Sequence, residues 1–222
     1  MDEAEYIARV STLAPKEYQN NYSRIREYIE AVYKKERPVY TPKYSNFPGV
    51  LRIMQDWVDA YINTEELVHR PKALIIWGPS RCGKTEWARS LGFDKGYKHT
   101  YFQGMFNLEV LDDDADYVVF YDVPSKYLIS YKQWMGCQRD FNVTDKYKKK
   151  KLVSGGWPCV FLMNNDPRSV PEWDTDWVEK NAEIVYVDHP LWEEVPEGVN
   201  GKRRRPDTSG IVYLADVSPL GY

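Results

Sequence analysis

The sequence predicts an α/β domain with a mostly parallel central sheet, preceded by a small helical segment at the N-terminus. An apolar run over 73–77 has the length of a buried strand, and a glycine-rich loop and a helix over 84–91 follow it. Two further apolar runs, over 117–121 and 159–163, have the same length, and a polar residue directly follows each of them. Buried strands that alternate with loops and helices are typical of a parallel sheet.

The overall composition limits the partners that the chain can have. Its 222 residues, 43% of them hydrophobic, suit one medium-sized domain with an appendage. The formal net charge of −3 excludes DNA binding through bulk charge, so any DNA contact must come from a local patch. The three cysteines lie far apart without metal or redox spacing, which indicates reduced thiols in a cytosolic or nuclear protein. No apolar run approaches membrane-spanning length, so no membrane partner is expected.

The N-terminal part of the chain is predicted to be helical. Tyrosines and aliphatic residues recur at three- and four-residue steps over 16–35, and a shorter helical piece precedes them. We therefore assign residues 1–36 to a helical segment and the proline-containing stretch 37–49 to a linker. The long helix could pack on its own domain, or it could form a collar between subunits.

The remaining chain forms the predicted α/β domain, residues 50–192, and a C-terminal tail, residues 193–222. An amphipathic helix over 50–62 opens the domain, and helical residues are expected over 131–141. A fourth short strand is expected over 184–187.

The glycine-rich loop predicts a nucleotide-binding site. Gly78 and Gly83 allow the backbone to turn its N–H groups inward onto phosphate oxygens, and the helix that follows presents its positive end to the anion. Lys84 would reach the β- and γ-phosphates of ATP, and the Thr85 hydroxyl would bind Mg²⁺. A glycine-rich turn with a surface lysine is the alternative. The complete phosphate-binding motif is Gly78, Pro79, Ser80, Arg81, Cys82, Gly83, Lys84 and Thr85.

Two strand ends supply candidate catalytic side chains. Asp122 follows the run 117–121, which is the Walker B arrangement of a buried strand that delivers a carboxylate to Mg²⁺. Asn164 follows the run 159–163 and could orient the attacking water. A turn-forming asparagine is the alternative for Asn164.

A lysine run is the most concentrated basic patch of this acidic chain. Such a run usually forms a solvated loop, but it would also suit salt-sensitive, sequence-tolerant contact with a nucleic-acid backbone. The candidate DNA-binding residues are Lys146, Lys148, Lys149, Lys150 and Lys151. A second basic cluster, 202–205, could be a nuclear-import signal, a DNA contact, a subunit-facing arginine or an exposed loop.

Four stretches together resemble the replication-initiator (Rep) proteins of geminiviruses and genomoviruses. The stretches are 77–92, which holds the phosphate-binding loop, 131–138, 144–151 and 156–164. The resemblance extends over roughly residues 15–192, and several motifs match in order.

The resemblance implies a superfamily 3 helicase domain of the AAA+ type. Such domains assemble as rings, usually hexamers, on single-stranded DNA and use ATP to translocate during rolling-circle replication. By motif, 78–85 is Walker A, Asp122 is the Walker B carboxylate, 146–151 falls in the motif B′ loop and Asn164 matches the motif C asparagine. The resemblance also implies a location in the host nucleus (otherwise the cytoplasm), with host replication factors as further partners.

Two departures from the family pattern bear on activity. Family members commonly carry paired acids at Walker B, but Tyr121 takes the place of the first acid here, which puts the rate of hydrolysis in question. The metal-binding histidine pair and nucleophilic tyrosine of a nickase domain have no counterpart in this chain, so we expect the C-terminal helicase part of an initiator, as a truncation or a split gene product. The motifs do not place the arginine finger, for which Arg168 and Arg203 are candidates.

These observations predict a DNA-stimulated ATPase that works as a ring-forming helicase. Two other functions remain open. A small-molecule P-loop kinase would share the phosphate-binding loop, but it would need an acceptor pocket and a set of lid arginines. An ATP-binding assembly or DNA-binding module with little hydrolysis is the other alternative, prompted by Tyr121.

Overall fold

A computed structural model of the chain describes residues 3–32, 40–64, 69–128, 130–144 and 150–193. Within these ranges the chain forms α-helices, strands and single turns of 3-10 helix. The α-helices are α1 (Glu3–Leu13), α2 (Pro15–Asn20), α3 (Tyr22–Val32), α4 (Arg52–Tyr61), α5 (Lys84–Ser90), α6 (Tyr131–Met135) and α7 (Thr175–Asn181). The strands are β1 (Ala73–Trp77), β2 (His99–Gln103), β3 (Tyr117–Tyr121), β4 (Arg139–Val143), β5 (Lys151–Gly155), β6 (Cys159–Met163) and β7 (Ala182–Tyr186). The 3-10 turns are Phe93–Lys95, Leu108–Val110, Ser125–Tyr127 and Pro167–Ser169.

The centre of the fold is a five-stranded sheet with the strand order β2-β3-β6-β1-β7. All four strand pairs in it are parallel. The predicted α/β class with a mostly parallel central sheet is therefore confirmed. The carboxyl ends of β1, β3 and β6 lie side by side at one edge of the sheet, because β6 is paired with both β1 and β3.

Each face of the sheet carries its own apolar core. Alternation along a strand sends successive side chains to opposite faces, so Leu74 and Ile76 join one core and Ala73 and Ile75 join the other. The first core packs side chains of α4 and α5 against the sheet. The second core holds side chains of α6, α7 and a separate antiparallel hairpin formed by β4 and β5.

The predicted buried strands are confirmed, but two helix predictions are wrong. Strands β1, β3 and β6 have the predicted bounds, and β7 begins two residues before the predicted 184–187. The single helix predicted over 16–35 is divided at Asn21 into α2 and α3. The helix predicted over 131–141 stops at Met135, and the chain continues as strand β4.

The physical reason for the second error is the hairpin that follows α6. Gly136 and Cys137, the latter with φ 45°, turn the chain out of the helix. Strand β4 then gains its hydrogen bonds from β5, from which it is separated by the lysine run. A pairing across a loop cannot be seen in the local pattern on which the helix prediction rested.

The helical segment α1–α3 contributes little to the domain core. Of its described side chains only Ile29 is buried, at 2% exposure. Large apolar side chains on this segment remain exposed, namely Leu13, Tyr22, Tyr28 and Val32. Among the described residues, no helix is long and apolar enough to cross a membrane.

Candidate functional site

The phosphate-binding loop joins β1 to α5 and depends on its glycines. Gly78 has φ 137° and Gly83 has φ 80°, both in the region that favours glycine. A Cβ on Gly78 would lie 2.1 Å from the Val187 carbonyl oxygen. Arg81, with φ 70°, also adopts a left-handed conformation. The sequence motif is thus matched by a tightly curled backbone that leads directly into the first turn of α5.

Lys84 lies inside this loop rather than on the surface. Its side chain is buried, and its Nζ donates hydrogen bonds to the Gly78 carbonyl at 2.8 Å and the Pro79 carbonyl at 2.6 Å. Burial lowers the pKa of Lys84, while Cys82 and Asp122 act in the opposite direction. A phosphate group would compensate the buried positive charge, as the sequence motif requires.

Asp122 and Asn164 meet at the edge where β3 and β6 end. The Asn164 Nδ2 amide lies 3.4 Å from Oδ1 and 3.3 Å from Oδ2 of Asp122, at the outer limit of hydrogen bonding. The Asp122 backbone has φ 46°, and its N–H donates to the Leu162 carbonyl at 3.2 Å. The structure therefore brings these two predicted residues together. Asn164 follows β6, which neighbours the strand β1 that leads into the loop, and Asp122 follows β3 on the far side of β6.

The residues that could hold a magnesium ion are few. Among the described residues, there is no cluster of three or more histidine, cysteine or carboxylate side chains that could bind a metal by themselves. Thr85 lies half-buried in the first turn of α5. Mg²⁺ commonly binds through one or two carboxylates together with substrate phosphates and water. Thr85 and Asp122 carry the oxygen atoms that could contribute to such a site.

Tyr121 takes the position next to Asp122 that a second acid occupies in the family pattern. Its ring stacks on Tyr101, with centroids 6.4 Å apart. Burial and the hydrogen bond to the Asp122 carboxylate raise the pKa of the Tyr121 phenol. A neutral phenol that donates to Asp122 cannot supply a second negative charge to the site.

The lysine run and the arginine candidates are only partly described. Lys146, Lys148 and Lys149 lie outside the described residues, as does Arg203. Lys150 is exposed, and Lys151 forms an ion pair of 2.8 Å with Asp113. Arg168 is held by its own chain, at 3.0 Å from Glu179 and 3.2 Å from Asp166.

The sequence reasoning missed a polar and aromatic cluster on α5. Glu86 accepts hydrogen bonds from the Tyr40 hydroxyl at 2.8 Å and from the Lys43 backbone N–H at 3.2 Å. The Arg89 guanidinium lies 3.7 Å from the centroid of the Tyr40 ring and 4.1 Å from that of Tyr101. The spacing of Glu86 and Arg89 on one helix face was visible in the sequence, but their partners lie far away along the chain.

The sequence reasoning also missed the segment that follows β7. The Val187 N–H donates to the Trp77 carbonyl and the Leu191 N–H donates to the Cys82 carbonyl, each at 2.9 Å. Trp192 then lies against Gly83. No local motif in 187–192 signalled this contact with the loop.

Of two cavities in the structure, one is lined in part by Asp122 and Asn164, and the other is not. One of about 330 Å³ lies behind Asp122 and Asn164 and is lined by Phe120, Phe161 and Trp173 among others. A larger one of about 760 Å³ lies near Asp116 and Arg139, at the opposite edge of the sheet. In the glycine-rich loop, Pro79, Ser80 and Arg81 are exposed, whereas Gly78 and Cys82 are buried.

Comparisons with known proteins identify relatives of the chain. The family described as the geminivirus Rep protein central domain matches residues 2–87. The replication-associated protein of Tobacco yellow dwarf virus (strain Australia) is 40% identical over 144 residues, which are 61% of this chain and 37% of that protein. The corresponding protein of Miscanthus streak virus (isolate 91) is 33% identical over 187 residues, 82% of this chain and 50% of the relative. The replication-associated protein of Bean yellow dwarf virus is 40% identical over 121 residues, which are 53% of this chain and 35% of that protein.

The chain thus spans at most half the length of these curated relatives. Among solved structures, a crystal structure of JCV helicase with a bound thiazolopyridine compound aligns with 85% of this chain and 56% of that chain. The sequence identity is 16% and the TM-score is 0.40. A likeness at that level does not bear on function.

Proposed function

We propose that this chain, a Rep-type protein, is the ATP-dependent DNA helicase module of a viral rolling-circle replication initiator. The observation that carries the proposal is the convergence of three elements at one edge of the sheet. The loop of Lys84 follows β1, while Asp122 follows β3 and Asn164 follows β6, and these strands are neighbours. This is the arrangement that phosphoryl transfer from a nucleoside triphosphate requires.

Each residue has a role in this proposal. The loop 78–85 cradles the triphosphate, and Lys84 neutralises charge on the β- and γ-phosphates. Thr85 and Asp122 would hold Mg²⁺, which would offset negative charge on the phosphates. Asp122 accepts a proton from the attacking water, which Asn164 orients.

The charge that develops on the γ-phosphate needs a further cation. We assign this role to an arginine of a neighbouring subunit, with Arg168 and Arg203 as the candidates. Arg168 would have to exchange its contacts with Glu179 and Asp166 for the nucleotide of the neighbour.

The DNA-binding part of the proposal rests on the β4–β5 hairpin. Lys151 opens strand β5 and Lys150 precedes it, so the lysine run lies along the chain between the two paired strands β4 and β5. Hydrolysis would move residues 146–151 along single-stranded DNA inside a ring of subunits, which the family resemblance implies is a hexamer. The exposed apolar side chains of α1–α3 suit a collar between subunits, and the host nucleus is the proposed location.

Two substitutions test the proposed site. Replacing Lys84 by alanine removes the buried cation, so we expect ATP hydrolysis to fall by about a hundredfold or more. Asp122→Asn should abolish turnover and leave ATP binding within about threefold of wild type, because the amide keeps the shape but accepts no proton. Steady-state phosphate release and calorimetric ATP titration would measure the two effects.

A matched control is Asp94→Asn, which changes an exposed carboxylate away from the site. It should leave both quantities unchanged. Full ATPase activity in Lys84→Ala would contradict the proposal.

Tyr121 favours a second candidate function. With one carboxylate at Walker B, the chain could bind ATP to assemble on DNA and hydrolyse it slowly or not at all. Assembly with ATP but no phosphate release, even with single-stranded DNA present, would favour this function over the helicase.

A further inference from the structure

Two aromatic rings beside the phosphate-binding loop have no role in the function proposed above. The rings of Tyr44 and Trp192 stack on each other, with centroids 5.4 Å apart and planes inclined by 26°. Trp192 also touches the loop, since a Cβ on Gly83 would lie 2.4 Å from its Cε3 atom. Both side chains are half-buried, so each keeps accessible surface.

The strand order shows which end of a nucleotide would face these rings. Strand β1, which leads into the loop, has β6 on one side and β7 on the other. Asp122 and Asn164 lie on the β6 side, so the γ-phosphate and its metal ion must face that side. The nucleoside end then points towards the β7 side, where Trp192 lies in the segment that follows β7.

Hydrogen bonds hold both rings in place relative to the loop. The residue before Trp192 donates its backbone N–H to the Cys82 carbonyl within the loop, at 2.9 Å. The residue before Tyr44 donates its backbone N–H to Glu86 of α5 at 3.2 Å. The two segments are also joined to each other, because the Gly49 N–H donates to the Leu191 carbonyl at 3.1 Å. A rigid aromatic surface costs little entropy when a ligand binds to it.

We propose that Tyr44 and Trp192 form a stacking platform for the base of the nucleoside triphosphate. The inference rests on the proposed function of 78–85 as a nucleotide site, and it names the residues that bind the other end of that nucleotide. Aromatic rings bind a base through its π-face, which every base offers, so the platform accepts adenine and guanine alike. The Lys43 ammonium, 4.6 Å from the Tyr44 ring centroid, adds a positive charge that suits a phosphorylated ligand.

A base of single-stranded DNA could in principle stack on the same rings. The position of the platform favours the nucleotide instead. Trp192 touches Gly83, on the sheet face that packs α5, whereas strands β4 and β5, which flank the lysine run in the chain, pack on the opposite face.

The test compares ATP with inorganic tripolyphosphate, which has the phosphates but no base. Calorimetric titrations in the presence of Mg²⁺ would use the wild-type chain, Tyr44→Ala, Trp192→Ala and the conservative variants Tyr44→Phe and Trp192→Phe. Each alanine variant should lose about tenfold in ATP affinity, and the phenylalanine variants should stay within about threefold of wild type. Tripolyphosphate affinity should not change in any of them, and GTP should follow ATP.

Tyr28→Ala is the matched control, because this exposed tyrosine lies on α3 away from the loop. It should leave ATP affinity unchanged, and thermal melts would verify that each variant is folded. The phenylalanine variants keep a ring against Gly83, so they remain informative if an alanine variant fails to fold.

Three results would overturn the platform. The first is an unchanged ATP affinity in both alanine variants. The second is an equal loss of affinity for ATP and for tripolyphosphate, which would indicate that the substitutions deform the loop. The third is a loss of affinity for single-stranded DNA in the alanine variants while their ATP affinity is intact, which would show that the two rings bind DNA. A wild-type chain that binds neither ATP nor tripolyphosphate would overturn the proposed function as well, so the two failures are distinguishable.

Discussion

At the scale of single residues, the site depends on a buried positive charge and an adjacent carboxylate. Lys84 is 6% exposed, and its ammonium donates hydrogen bonds to the Gly78 and Pro79 carbonyl oxygens of the loop. Taking a cation out of water is unfavourable unless an opposite charge compensates it. In the proposed function a triphosphate would supply that charge, so the buried position of Lys84 would favour an anionic ligand.

Tyr121 provides the sharpest test at this scale. Replacing it by aspartate restores a second acid beside Asp122, so we expect kcat for ATP hydrolysis to rise by about tenfold. ATP affinity should stay within about threefold, because Tyr121 is not part of the loop. Steady-state ATPase assays in the presence of single-stranded DNA would measure the change.

Tyr121→Phe is the control for this substitution. It keeps the ring that stacks on Tyr101 and removes only the hydroxyl that bonds to Asp122. If Tyr121→Asp bound ATP normally and hydrolysed it no faster than wild type, the missing acid would not be what limits the rate.

At the scale of elements, α5 connects the glycine-rich loop 78–83 to the segment that precedes α4. Its first turn carries Lys84 and Thr85, and its Glu86 and Arg89 side chains contact Tyr40. Arg89 Nε also donates to Nε2 of His99 on β2, at 3.1 Å. The helix is therefore fixed on both sides by contacts that no local motif reveals.

His99 makes these contacts sensitive to pH. Burial, with a smaller contribution from Arg89, lowers the pKa of His99 to about 4, whereas an unfolded chain has a histidine pKa of about 6.5. Between these values the unfolded state binds more protons, so the free energy of unfolding should decrease as the pH falls from 6.5 to 4. The loss should be about 1–3 kcal/mol, and it should be absent above pH 6.5.

Urea unfolding at a series of pH values would measure this dependence. His99→Gln can still accept the Arg89 hydrogen bond but does not titrate, so the slope between pH 4 and 6.5 should become smaller. An equal slope in the variant and the wild type would show that other groups cause it.

Element predictions from the sequence were accurate where the pattern was local and strong. Strands β1, β3 and β6 are continuous apolar runs that are buried on both faces, so their bounds could be read directly. Strands β4 and β5 have exposed residues at alternate positions and pair with each other across the lysine run. Their formation depends on that pairing, which explains why β4 was assigned to a helix.

At the scale of the whole molecule, the exposed apolar residues of α1–α3 bear on assembly. Leu13 is 73% exposed and Val32 is 53% exposed. Side chains that add nothing to a domain's own core can stabilise contacts between subunits. The collar hypothesis therefore predicts that replacing these side chains weakens assembly of subunits without lowering the stability of the domain.

We expect the double variant Leu13→Ser and Val32→Ser to assemble less than wild type in the presence of ATP and single-stranded DNA. Its melting temperature should change by less than about 2 °C, because neither side chain is buried in the domain. Native mass measurements would count the subunits. Lys16→Ser, an exposed polar change on α2, is the control and should assemble normally.

A wild-type chain that remained a monomer under all conditions would contradict the ring model. If the double variant assembled as well as wild type, this result would contradict the collar hypothesis but not the ring model.

The glycine-rich motif 78–85, the three buried strands and the polar residues that follow two of them could all be predicted from the sequence. These features are local, because the glycine spacing and the apolar runs are each contained in a few consecutive residues. Only the folded chain shows that Asp122 lies near Asn164 and that Trp192 and Tyr44 meet beside Gly83. These contacts join residues that are distant along the chain, so only the strand order and the packing of loops on the sheet could place them together.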